Sequence, residues 1–199
     1  MTILESNLHD DAPTTSEPLP GDLAIWIFIF AELLVFGILF IAYAFARAQH
    51  AALFAHEQAS LPRLWGLLDT LILITSSYAV AQATHAIHQG HQRRCASWLV
   101  TAEILGVTFI VLKIMEFIHD AQIGISLSRN LFDMFYLTLT GFHFLHVLMG
   151  LIILSTVTIK TFQGAYSSDH YAGIETGAAF WHMVDLVWII LFVLIYVLH

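Results

Sequence analysis

The chain has 199 residues, of which 58% are apolar and only 11% charged, against about 25% charged in an ordinary soluble domain. That balance excludes a soluble globular fold and points to an integral membrane protein. Seven Lys and Arg against 15 Asp and Glu leave a net charge of -8, which excludes a nucleic-acid partner because such partners call for clustered cations; the lone Cys95 excludes an intramolecular disulfide and every multi-cysteine metal site.

Residues 1–21 hold Glu5, Asp10, Asp11 and Glu17 with Pro13, Pro18 and Pro20, and no Lys or Arg. Without a basic opening the stretch does not read as a secretory signal peptide, and a polar N-terminal tail is expected there, ahead of a membrane domain over 22–199. Asp22, in "LPGD", is placed to cap the helix that follows. Crossing a hydrocarbon layer of about 30 Å takes roughly 20 apolar residues. Stretches near 23–45, 65–87, 97–118, 132–157 and 177–198 meet that requirement, and none shows the alternation of a membrane β-strand. The expected fold is therefore an all-α bundle of five transmembrane helices with its termini on opposite faces. Arg93, Arg94 and Lys160 on the N-terminal side balance Arg47, Arg63 and Arg129 on the other; the Arg93-Arg94 pair, in the shortest loop, directs the N-terminus to the cytoplasm.

Ionisable groups inside apolar spans are costly, so they are the informative residues. The first span carries Glu32, which reads either as a structural acid bonded to another helix or as a proton-accessible carboxyl; Gly37 beyond it suggests a close helix approach. The second opens with Asp69 in a band of short polar side chains that includes Thr70, Ser76 and Ser77. In the third, Lys113 and Glu116 are spaced to pair locally, whereas Glu103 lies at another depth; paired charges and a proton relay are both open readings. The fourth places His143 and His146 on one face, and the fifth repeats that spacing with His182 and Asp185, so these four are expected to form a polar core joining the last two spans. Haem or metal ligation by those histidines has no short-spaced motif behind it, and no catalytic residue is assigned.

The motifs "LPGDLAIWIFIFAELLVFGILFIAY", "LLDTLILITSS", "ILGVTFIVLKIMEF", "FYLTLTGFHFLHVLMGLIIL" and "FWHMVDLVWIILFVLIYVL" fall one per span. In that order the chain resembles subunit III of the haem-copper respiratory oxidases, in its short five-helix bacterial form. The resemblance implies a multi-pass protein of the bacterial inner membrane that binds no haem or copper itself, packs against a catalytic subunit holding haem and copper, keeps proton or gas access, and holds phospholipid in a cleft between its first two helices and the other three. Against the family pattern, Asp69 stands for the usual Asn, Lys113 for the usual Gln, and Phe144 for the Gly common between the two histidines of the fourth span. These departures resemble the accessory subunit III-like protein of bacterial nitric oxide reductase clusters, which makes a nitric oxide reductase in denitrification the alternative partner. A small proton-coupled transporter using Glu32, Glu103, Lys113 and Glu116 lacks the inverted repeat such proteins show, and a dihaem carrier would need histidines paired at two depths.

Overall fold

A computed structural model describes residues 23–167 and 170–198; the expected tail and the Asp22 cap lie outside them. Five helices are long and apolar enough to cross a membrane: α1 (Leu23–Gln49), α3 (Arg63–His88), α4 (Gln92–Gln122), α5 (Leu131–Phe162) and α6 (Ala172–Phe192), the last extended by a π-helical turn at Val193–Val197. A short helix, α2 (Ala51–Ser60), lies between α1 and α3. At 1.5 Å per residue the 32 residues of α5 reach well past a hydrocarbon layer of about 30 Å, so the helices overrun the spans expected from hydropathy because their polar ends continue into the headgroup region.

Helix ends follow local chemistry. Asn130 Oδ1 accepts from the Asp133 backbone N–H at 2.7 Å and caps α5. After α3 and α4 the chain turns through Gly90 and Gly124 at φ of 75° and 88°, and His91 N–H donates to Ala86 O while Ile125 N–H donates to Asp120 O, both at 2.9 Å. Those bonds close the helix ends in the Schellman manner, which needs a left-handed residue that glycine supplies without strain.

Helices α3, α4, α5 and α6 pack in sequence, and α3 closes against α6, so they form a four-helix bundle with α1 laid outside against α5 and α6. Only 11% of the most apolar stretch of α1 is buried, against 56% for the last span. The second span therefore belongs to the bundle and does not pair with the first, which corrects the division of two helices against three: the groove lies between α1 and the α3–α6 pair, holds about 650 Å³, and is lined by Trp26, Ile29 and Leu33 opposite Thr84, His85 and His182. The bundle is tight where glycine admits a ring. Trp181, 1% exposed, sits between Gly106 of α4 and Gly150 of α5. Gly37, by contrast, has open space beside it, so it marks no close approach.

The sequence reads 46–64 as a connection between the first two spans, yet α2 occupies part of that stretch. Phe54 packs its ring 5.3 Å from Tyr43 and 5.5 Å from Phe132. Gln58 Nε2 lies within 3.1 Å of the Tyr43 hydroxyl and 3.0 Å of the Leu194 and Ile195 carbonyls. Glu57 pairs with Arg129 at 3.1 Å, and Arg129 with Asp133 at 3.2 Å. The short helix thus ties α1, the start of α5 and the end of α6 together. With five spans, reporter fusions ahead of Leu23 and beyond Leu198 should report opposite sides of the membrane; equal signals would contradict the topology.

Candidate functional site

The ionisable residues of the bundle form one charge cluster and several separate contacts between helices. The charge cluster lies toward the end of the bundle where α4 and α6 finish and α3 and α5 begin. Lys113 Nζ stands 2.5 Å from Glu116 Oε2, one helical turn on, and forms an ion pair at 2.7 Å with Asp69 Oδ2 of α3. The three side chains are 1%, 3% and 0% exposed. Lys113 Nζ also lies 4.5 Å over the Trp188 ring, a cation–π contact, and Trp188 Nε1 donates to Thr70 Oγ1 at 3.0 Å. Thr70 returns its own proton to Gly66 O at 2.7 Å. Asp69 and Lys113, the positions where the resemblance leads to an expectation of Asn and Gln, are thus each other's partners in an ion pair.

Three further groups complete the cluster, and sequence reasoning missed them. The Tyr136 hydroxyl lies 2.8 Å from Asp120 Oδ2 and 3.1 Å from Glu116 Oε1, and the Tyr196 hydroxyl donates to Glu116 Oε1 at 2.9 Å. Asp120 follows Glu116 by one turn on the same face, a spacing that could have revealed it. Tyr196 had no such signal, because it belongs to the π-helical turn that ends α6. An i to i+5 turn shifts the register of the face it presents.

The histidines do not form the joint core expected of them. His146 Nδ1 faces the Phe142 carbonyl at 2.8 Å and Nε2 faces Glu32 Oε2 of α1 at 2.9 Å. A carbonyl only accepts, so Nδ1 carries hydrogen, and the second contact holds one proton between imidazole and carboxyl. His182 Nδ1 lies 2.6 Å from Ser77 Oγ on α3, and Ser77 also bonds to Asp185. His143 is fully buried between Phe36, Phe109 and Trp188, whose ring centres lie 6.5, 6.0 and 5.1 Å away, with no hydrogen-bond partner for either nitrogen among the described residues. Spacing put His143 and His146 on the inner side of one helix, but each finds its neighbours elsewhere. Glu103 is separate again: its Oε1 accepts from Thr158 Oγ1 at 2.6 Å and links α4 to α5.

Chemically, then, the polar side chains are mostly spent on one another across helix interfaces. Among the described residues no three or more His, Cys, Asp or Glu side chains converge as a metal site would require.

Comparison with known proteins places this geometry. The family described as "Cytochrome c oxidase subunit III" matches residues 21–199. The chain is 32% identical to cytochrome c oxidase subunit 3 of Thermostichus vulcanus over 177 residues, covering 88% of this chain and 86% of that protein. It is 33% identical to the Synechocystis subunit over 173 residues, 86% of this chain and 73% of that one. The wheat (Triticum aestivum) subunit matches at 37% over 130 residues, which is 65% of this chain and 48% of its relative.

Proposed function

The chain belongs to the cytochrome c oxidase subunit III family, and from that premise we propose that it is the accessory, non-redox membrane subunit of a haem-copper oxidase in aerobic electron transport. Haem and copper belong to the catalytic subunit in this reading. The chain packs beside that subunit in the cytoplasmic membrane, and stabilises it together with its lipid, proton or gas access. The observation that carries the proposal is a family match running through all five spans. The internal bonding of the polar groups supports it, because side chains consumed in helix-to-helix contacts are suited to holding a rigid docking body. The relatives reported above are oxidase subunits, which favours oxygen over nitric oxide as the partner's electron acceptor. Phospholipid fits the groove between α1 and the α3–α6 pair, where apolar walls meet Thr84, His85, His88 and Glu175. Glu32, Glu103, His143, His146, His182 and Asp185 serve as structural polar groups in this account.

The test is purification of the chain alone, with an absorption spectrum and metal analysis. The expected outcome is no haem band and no stoichiometric iron or copper. Either one in the isolated chain would overturn the non-redox assignment.

A further inference from the structure

Tyr136 has one hydroxyl proton but stands within hydrogen-bonding distance of two carboxyl groups, Asp120 at 2.8 Å and Glu116 at 3.1 Å. A hydroxyl donates once, so its second short contact is bonding only where the facing oxygen brings a proton of its own. Glu116 is a poor source: the Lys113 ammonium occupies its Oε2 at 2.5 Å and the Tyr196 hydroxyl donates to its Oε1 at 2.9 Å, the surroundings of an ionised carboxylate. Asp120 has no comparable cation. Its nearest is His119, whose Nδ1 lies 3.8 Å from Asp120 Oδ1, on a side chain 57% exposed. The charge count agrees: three buried carboxyls, Asp69, Glu116 and Asp120, share the single ammonium of Lys113, and an ionised group buried without a partner is heavily penalised.

We propose that Asp120 is a proton-binding site. Its carboxylic acid donates to the Tyr136 oxygen, Tyr136 donates to Glu116 Oε1, and each of the two contacts Tyr136 makes to a carboxyl group then has one donor. When the proton leaves toward the face where His119 is exposed, Asp120 becomes a carboxylate and Tyr136 turns its O–H from Glu116 to Asp120. Glu116 is left with Lys113 and Tyr196 alone. The groups facing the site are Glu116 and His119 from α4 and Tyr136 from α5, with Lys113 and Tyr196 behind Glu116. A proton suits the site better than a metal ion, because no three metal-ligating side chains converge there among the described residues.

Infrared spectroscopy of the full chain in membranes, in light and heavy water, reads this directly. The expected result is a carboxylic C=O band from isotope-labelled aspartate that shifts on deuteration, disappears in Asp120→Asn, and moves to higher frequency in Tyr136→Phe, where the acceptor is gone. Labelling assigns the band to aspartate as a class, and the shift in Tyr136→Phe ties it to Asp120, the aspartate bonded to that hydroxyl, even where Asp120→Asn fails to fold. Absence of any carboxylic band from labelled aspartate, or a band altered by neither substitution, would overturn the proposal.

Discussion

Lys113→Met should be the most damaging single substitution in the bundle. Methionine matches the lysine stem in length and leaves the packing nearly unchanged, but it removes the cation from between Asp69 and Glu116, which stand 2.7 and 2.5 Å from the ammonium. Breaking a buried pair from one side strands the other charge and costs about 3–5 kcal/mol, on the order of ten degrees in detergent melting temperature for a chain of this size. Asp69→Asn alone should cost less, because Lys113 keeps Glu116. The decisive variant is the double one: Asp69→Asn with Lys113→Gln installs the amides that the resemblance leads to an expectation of at these positions, removes one charge of each sign, and leaves Glu116 with its tyrosine donors. It should recover most of the stability that Lys113→Met loses. If Lys113→Met melts like the unmodified chain, the pair does not hold the bundle; if the double variant is as unstable as Lys113→Met, the two departures are not compensating.

The second large effect is steric. A methyl group added at Gly106 would lie 2.8 Å from both the Trp181 ring and Leu151, and one added at Gly150 would lie 2.9 Å from the same indole. Leu151 is flexible at its end and can yield, but Trp181 is held from both sides and cannot. Overpacking of this kind costs typically about 1–3 kcal/mol. Gly106→Ala and Gly150→Ala should each lower the melting temperature, and the bulkier Gly150→Val should do so further. Gly37→Ala is the control: nothing lies within 4 Å of the added methyl, and replacing a helical glycine by alanine gains up to about 1 kcal/mol. Equal effects at Gly37 and Gly150 would show that backbone propensity, not the fit of Trp181, governs these positions.

Hydropathy was sufficient to read the five spans, because burying about 20 residues in hydrocarbon imposes a composition that few other structures need. The pairing of Lys113 with Glu116 was equally legible, since a spacing of three residues on a helix brings side chains together whatever surrounds them. Asp69 was not legible as the third member: its place beside Lys113 depends on how α3 and α4 pack, and no local spacing encodes that. For the same reason His146 is bonded to Glu32 and His182 to Ser77, and not to one another. Spacing within a helix shows which side chains share a face, but the neighbouring helix decides what they meet. Tyr196 was hidden by the π-helical turn and α2 by its length, ten residues, too short to carry a strong periodic signal.

Purification of the tagged full chain from its native membranes in mild detergent, with the absorption spectrum and metal content of whatever accompanies it, tests the accessory-subunit assignment most directly. The assignment predicts a stoichiometric complex in which haem and copper are present and remain with the partner when the chain is stripped away. A chain that purifies free of any haem protein, or that retains haem after its partner is removed, would contradict it.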